Sequence, residues 1–291
     1  MPSATVVHLA EQGVVALTGP DAGKLLQGIL TNDLDVLDKG PSLAAGLLTP
    51  QGKILFDLVV YRASDDLIVE TPAARLADLI KRLTLYKLRA DVRITDASAD
   101  WAVVASWGGE VAWPAGSLGG ADPRLAEFGE RHLIPANAID ALGQRGTIAD
   151  YDARRVALGV PEGGRDYVLG DTFPHEANFD LRSGVSFTKG CYVGQEVVAR
   201  MHHKTIVRKR IVRLQGTAPL ASGVDVMAGT FQIGRIGTVS GNAALAFLKL
   251  DRAEELAAKG EKLTAGDVPV EIDARDIAAF EAIAAAKAHR S

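Results

Sequence analysis

The chain has 291 residues, enough for two packed units or three small ones. Apolar residues make up 47% and charged residues 23%, which excludes a disordered tail protein and a fibrous repeat. The 32 basic side chains against 36 acidic ones leave a net charge of −4, which argues against a whole-chain polyanion binder, so any nucleic-acid surface must be local. No stretch approaches the run of about 18 apolar residues that a membrane span needs. Met1-Pro2-Ser3-Ala4-Thr5 lacks the basic segment and apolar block of a secretory signal, so a cytoplasmic protein without membrane contact is expected. A single cysteine, Cys191, excludes an intramolecular disulfide, a self-contained CxxC pair and a Cys-rich zinc site.

In chain order, Val14-Val15-Ala16-Leu17 reads as a strand and Thr18-Gly19-Pro20-Asp21 as a turn. Leu25, Leu26, Ile29 and Leu30 then fall at helical spacing, predicting a helix over about 21–31. Thr49-Pro50-Gln51-Gly52 separates two apolar runs, Leu43 to Leu48 and Ile54 to Tyr61, as hairpin punctuation does. Ala73 to Leu88 carries Leu76, Leu79, Ile80, Leu83 and Leu88 and predicts a second amphipathic helix, and Val92-Arg93-Ile94 returns to strand. The Gly- and Pro-rich stretch from Ser106 to Pro123 reads as a surface connection, and Gly159 to Asp171 as a second loop. From about Ile206, short β-branched runs alternate with glycine turns (Ile206-Val207, Ile211-Val212, Gln232-Ile233, Ile236 to Val239, Val268 to Ile272), which suggests a small barrel or sandwich. Ala-rich Ile277 to Ala288 predicts a terminal helix, and no repeat of fixed period is seen.

The densest chemistry lies in Lys189-Gly190-Cys191-Tyr192-Val193-Gly194-Gln195-Glu196. Two glycines flank the only thiol, Lys189 stands two residues away, and a helix starting near Gly194 would add a positive dipole end. Together these are compatible with a reactive thiolate, whereas a lone cysteine is ordinarily a small buried hydrophobe; the residues alone leave both readings open, and the resemblance given below implies the reactive one. Lys189 to Arg213 holds seven basic residues and one acidic residue, a local field suited to a carboxylate tail, a phosphate or an RNA backbone, or else a charged strand edge. His202 and His203 are adjacent and point apart, so they make a poor metal pair, and no metal site is expected. Asp57 interrupts the apolar strand Ile54 to Tyr61. A carboxylate there must face a ligand or an ion partner such as Arg62 or Arg89. Glu176, in Phe173-Pro174-His175-Glu176-Ala177-Asn178, is similarly suited to accept the paired N–H donors of a heterocycle. Gly19-Pro20-Asp21-Ala22-Gly23-Lys24 is one residue too short for a P-loop, and Leu25 replaces its Ser or Thr. No dinucleotide fingerprint or Gly-x-Ser-x-Gly elbow occurs.

At Lys189 to Glu196 the chain resembles the YgfZ family of folate-binding proteins, relatives of the glycine-cleavage T-protein (aminomethyltransferase) and of mitochondrial iron–sulfur assembly factors. Leu26 to Asp33, Gln51 to Tyr61, Pro174 to Ala177 and Ile236 to Asn242 look like T-protein segments in the same order. The resemblance implies an α+β, T-protein-like fold. Two interleaved α/β lobes over 1–205, divided near 100–125, and a C-terminal β-barrel with a terminal helix over 206–291 would surround a central tetrahydrofolate site. It places Asp57 beside the reactive nitrogens of tetrahydrofolate or a one-carbon derivative, Glu176 at the pterin and Arg208 near the glutamate tail. Tyr192, Gln195 and Glu196 complete the binding set, while Cys191, Lys189 and Asp57 carry the chemistry.

The chain departs from T-proteins in having Cys191, in lacking their tyrosine between Ser42 and Leu48, and in its shorter C-terminal part. The resemblance therefore implies an accessory protein that assists assembly or repair of [4Fe–4S] clusters in client enzymes, radical tRNA-modifying enzymes among them. Iron–sulfur client or assembly proteins are the expected partners. Folate-dependent aminomethyl transfer and a weak tRNA contact through the basic run are the alternatives. One sulfur cannot hold a cluster that takes about four protein ligands, so Cys191 would be a shared ligand or a redox-active thiol.

Overall fold

The computed structural model describes residues 4–143, 145–204 and 207–288. The described residues form two compact units, each assembled from separated stretches of chain: Met1–Tyr151 with Asp180–Gln195, and Asp152–Phe179 with Glu196–Ser291. Residues 152–179 thus cluster with the barrel unit, where the sequence reading had grouped them with the body; its boundary at 205/206 lies outside the described residues.

The first unit contains β1 (Thr5–His8), β2 (Gln12–Thr18), α1 (Ala22–Ile29), β3 (Ser42–Leu48), β4 (Ile54–Ala63), β5 (Asp66–Pro72), α2 (Leu76–Lys87), β6 (Arg93–Asp96), β7 (Trp101–Trp107), β8 (Leu118–Ala121), β9 (Glu130–Pro135), α3 (Ile139–Leu142) and the first turn of α4 (Ile148–Leu158). The strands make two antiparallel sheets, ordered β3-β4-β5-β2-β6 and β1-β7-β9-β8. On the larger sheet, alternation sends Val15, Leu17, Leu43, Leu47, Phe56, Leu58, Val60, Leu67 and Val69 to one face, where they bury Leu26 and Ile29 of α1 and Leu79 and Leu83 of α2. The expected helices and hairpin over 21–88 are all present.

The opposite face is held by polar groups. Tyr61 and Glu70 project there, and Arg131 of β9 reaches Glu70 with two guanidinium nitrogens. Arg131 also donates to the Tyr151 hydroxyl at 2.9 Å. Arg124 reaches the same oxygen and grips Asp122 through two nitrogens at 2.9 and 2.8 Å. All six residues are buried, and sequence spacing gave no hint of this cluster. The stretch 106–123, expected as a connection, contains β8. Its Gly119 lets the chain lie so close to β9 that a Cβ there would stand 2.7 Å from the His132 Cα, while a Cβ on Gly120 would meet the Pro41 ring at 2.7 Å. A glycine strand carries no apolar alternation, so periodicity cannot reveal it.

The second unit contains the rest of α4, then α5 (Gln195–Lys204, of which Gln195 belongs to the first unit), β10 (Lys209–Gly216), β11 (Asp225–Ala228), β12 (Phe231–Ser240), β13 (Ala243–Lys249), α6 (Leu250–Ala257), β14 (Leu263–Ala265), β15 (Val268–Ile272) and α7 (Ala274–Ala288). The six strands close a barrel in the order β10-β13-β12-β11-β14-β15, with β15 returning to β10. Val212, Leu214, Val226, Ile233, Ile236, Ala246 and Leu248 fill it, capped by Ala253 and Leu256 of α6. Strand pairing begins at Lys209; Ile206, which the sequence reading placed in a strand, lies outside the described residues.

Arg155 of α4, fully buried, ties the 160–166 loop to the barrel. It donates to Asp166 at 2.7 Å, the Val160 carbonyl at 3.1 Å and the Thr238 hydroxyl of β12 at 2.7 Å. Asp166 in turn accepts the Thr238 N–H at 2.8 Å. This contact requires Gly237, because a Cβ there would lie 2.6 Å from the Asp166 carboxylate and 2.8 Å from its Cα. Gly237→Ala is expected to lower stability by about 2–4 kcal/mol through this overlap, measured by urea unfolding. A cost under about 0.5 kcal/mol would mean that the loop yields freely.

Candidate functional site

The Cys191 loop is built on the end of α1. The chain leaves that helix through Leu30 into Thr31-Asn32-Asp33, and these residues knit two distant segments together. The Thr31 N–H donates to the Gly46 carbonyl of β3 at 2.9 Å, the Gly46 N–H returns to Thr31 Oγ1 at 2.7 Å, and that hydroxyl donates to the Gly184 carbonyl at 2.6 Å. Asn32 Nδ2 donates to the carbonyls of Ala44 and Ser183 at 2.8 and 2.6 Å. Short polar side chains suit this position because they can bond backbone groups in two directions at once.

Lys189 completes the join. Its buried ammonium donates to the carbonyls of Gln27, Leu30 and Asn32 at 2.8, 2.9 and 2.7 Å, so each of its three N–H groups has an acceptor. Gln27 and Leu30 lie at the C-terminal end of α1, where unpaired carbonyls and the negative dipole end favour a cation. Burial nevertheless pulls the Lys189 pKa down to about 8, while Asp33 and Asp35 pull it upward. These hydrogen bonds run to α1 and the Asn32 turn, so Lys189 ties the inner side of the Cys191 loop to the helix.

Tyr192 is buried too, with Lys189 Nζ 5.4 Å from its ring centroid, and burial pushes its phenol up to about 12. Gly194 adopts φ +82°, and a Cβ there would lie 2.7 Å from the Thr49 carbonyl, so the loop rests on the β3–β4 turn at a point open only to glycine. The Gln195 N–H donates to the Tyr192 carbonyl at 3.2 Å, and its side-chain amide reaches the Gly190 carbonyl at 3.4 Å. Between these anchors Cys191 is exposed.

Asp57 stands on β4 opposite Gly46, the residue that bonds Thr31, and is half-buried. It shares the polar sheet face with Tyr61, so its carboxylate is on the side away from the helices. Arg62, one expected ion partner for it, pairs with Asp38 at 3.1 Å. Lys189, Cys191, Tyr192, Gln195 and Asp57 thus belong to the first unit, and Glu196, Glu176 and Arg208 to the second.

Within the second unit, Glu176 is half-buried and accepts the Phe173 N–H through one carboxylate oxygen at 2.9 Å. Glu196 is exposed in the first turn of α5. The Arg208 side chain is 77% exposed with Asp251 3.9 Å away. The arginine that meets the Glu176 segment is Arg210, which donates to the His175 carbonyl at 2.8 Å and to Asn178 Oδ1 at 3.2 Å. Strand alternation in β10 was the available signal, since it turns Arg210 inward beside the buried Val212 and Leu214.

The basic run is correspondingly weaker as a surface. Lys189 and Arg210 are interior, and Arg213 is tied to Asp276 of α7 at 2.6 Å, which leaves Arg200, Arg208 and Lys209 exposed and the Lys204 side chain outside the description. A polyanion site needs exposed positive charge, and nearly half of this run is spent on folding. His202 and His203 have ring centroids 4.7 Å apart. Among the described residues, no group of three or more His, Cys, Asp or Glu is arranged to hold a metal ion, and no helix is long and apolar enough to cross a membrane.

Asp57 is a half-buried carboxylate on a strand, the type of group that accepts an N–H pair such as a pterin offers.

Comparison with known proteins agrees with this architecture. Residues 2–115 match the GCVT N-terminal domain, and residues 208–280 match the CAF17 C-terminal beta-barrel domain. The fold is shared with the glycine cleavage system aminomethyltransferase T of Bartonella henselae at a TM-score of 0.71 and 17% identity, over 92% of this chain and 84% of that one. In sequence, the chain is 37% identical over 244 residues to an iron–sulfur cluster assembly factor IBA57 homolog of Mycosarcoma maydis, covering 76% of this chain and 60% of that protein. It is 33% identical to the mouse factor over 84% of this chain and 77% of that one, and 34% identical to the human factor over 81% and 74%. The chain thus spans well over half the length of these relatives, and less than two thirds of the fungal one.

All of these assembly-factor relatives carry the word mitochondrial in their names. This overturns the cytoplasmic placement expected from the N-terminus, since lacking a secretory signal does not discriminate between the cytosol and an organelle. With a third of the aligned residues identical to mammalian proteins of which it covers about three quarters, the chain belongs to the iron–sulfur cluster assembly factor IBA57 family.

Proposed function

We propose that the protein assists assembly or repair of [4Fe–4S] clusters in client enzymes, radical tRNA-modifying enzymes among them, and that it binds tetrahydrofolate or a one-carbon derivative while doing so. The observation that carries the reading is the display of Cys191: a lone exposed thiol at the apex of a loop whose flanks are fixed by Lys189, Gly194 and Gln195. A cysteine serving only to pack would be buried like its neighbour Tyr192. The cluster is cargo. Cys191 supplies one thiolate, releasing its proton to water, and the remaining ligands, about three, come from thiolates of a second protein. Because loop flanks and thiol are held separately, the sulfur can engage and release iron without disturbing the fold. Asp57 would accept hydrogen bonds from the folate amine, and that ligand would supply binding or one-carbon chemistry when bound.

Replacing Cys191 with alanine and assaying a [4Fe–4S] client in cells tests the thiol. Client activity is expected to fall about tenfold or more, with unchanged melting of the purified variant; full client activity would remove the thiol from the mechanism. Asp57→Asn is expected to weaken tetrahydrofolate binding about tenfold by fluorescence titration, since it loses a charged acceptor. Cys191→Ala should bind folate normally, so the two halves of the reading are tested apart.

A further inference from the structure

The outer side of α2 carries large apolar side chains that its unit leaves uncovered. Leu79 and Leu83 bury one face of the helix, while Leu85 is 61% exposed and Leu88, just past the last turn, is 86% exposed. Lys81 and Leu85 are four residues apart and share the exposed strip. Leu88 also has φ +49° and ψ −108°, a conformation that a glycine reaches far more easily than a leucine. Exposure and backbone together hold a large apolar group in water, two unfavourable choices at one position.

The surroundings are basic. Lys81, Arg82, Lys87, Arg89 and Arg93 face only one acidic residue, Asp91, within 81–93. Among the described residues no ion pair engages any of the five, whereas Asp78 on the same helix is already held by Arg75 at 3.2 Å. Beside α2, β6 is an outermost strand of its sheet and pairs with β2 alone, so no further strand covers this corner.

We propose that this corner docks an acidic amphipathic segment of a partner protein, whose apolar side chains cover Leu85 and Leu88 while its carboxylates meet the five basic residues. An RNA would satisfy the charges and leave both leucines in water. A bilayer would need a broad apolar helix face, and that face of α2 is the one already buried. The site lies on α2 and β6 and does not involve Cys191.

The test is fluorescence anisotropy of a labelled synthetic amphipathic peptide of glutamates and leucines titrated with the full chain. Saturable binding is expected, weakened by added salt, and weakened about tenfold in each of Leu85→Ser, Leu88→Gly and Arg89→Glu. Leu88→Gly should melt no lower than the parent, because glycine relieves the backbone, so its loss of binding cannot be a folding defect. Cys191→Ala should bind as the parent does. The proposal is overturned by an absence of saturable binding, by equal binding to the leucine variants, or by tighter binding of phosphatidylserine vesicles or duplex RNA than of the peptide.

Discussion

Replacing Arg131 with methionine is expected to lower stability by about 3–5 kcal/mol, among the largest single-site effects in the molecule. Methionine keeps the length of the stem, so the loss is electrostatic. Glu70 is left buried with only the Tyr61 hydroxyl, at 2.9 Å, where it had two guanidinium donors as well, and Tyr151 loses one of its two arginines. An uncompensated carboxylate there must stay charged at high cost or take up a proton. The Tyr61 phenol, raised well above its usual value by burial and by the Glu70 charge, stays neutral and keeps its single hydrogen bond to Glu70. Urea unfolding of Arg131→Met, Glu70→Leu and the double variant measures the effect. The double variant should recover much of the single loss, because a buried pair costs most when one partner survives. Should Arg131→Met lose less than about 1 kcal/mol, the sheets are joined by packing instead.

Lys189→Met is the second large effect, expected at about 3 kcal/mol with a parallel loss of client activity. Three buried carbonyls, of Gln27, Leu30 and Asn32, lose their donor together, and the loop carrying Cys191 loses its inner anchor. Its pH dependence gives an independent check. The folded pKa of Lys189, about 8, lies below its unfolded value near 10.4, so between these the unfolded chain binds more protons and stability rises with pH. Tyr192 acts oppositely: its folded value of about 12 exceeds the unfolded 10, so above about pH 10 stability falls as pH rises. The parent should therefore gain about 1–2 kcal/mol from pH 8 to pH 10 relative to Lys189→Met, measured by denaturant unfolding at each pH. Parallel profiles for the two proteins would show that the ammonium is not buried.

The regular parts of the fold were legible because they follow simple periods: α1 and α2 by helical spacing, β3 and β4 by alternation around Thr49-Pro50-Gln51-Gly52, and the barrel by short β-branched runs. β8 was not, since Gly119 and Gly120 carry no pattern and belong to a strand only through close approach to β9. The candidate site was partly legible. Cys191, Lys189 and Gly194 stand out in one short segment, yet the role of Lys189 depends on carbonyls about 160 residues away in sequence, which no local spacing encodes. The same limit hid Arg131 with Glu70 and Arg155 with Asp166, pairs that look in sequence like ordinary surface charges. Arg208 and Arg210 show the remaining gap: Arg208 precedes β10 and is exposed while Arg210 within it is buried, a difference set by side-chain direction that no resemblance in sequence encodes.

The stitching of Thr31, Asn32 and the α1 carbonyls to residues 183–189 has a consequence for biosynthesis. When the first 151 residues leave the ribosome, the acceptors that Lys189 and its neighbours will fill are still wet, and at roughly 5–20 residues per second the missing stretch arrives seconds later. The sulfur-bearing loop can thus be clipped onto α1 only after residues 183–189 have been made, and the thiol takes up its displayed position no earlier.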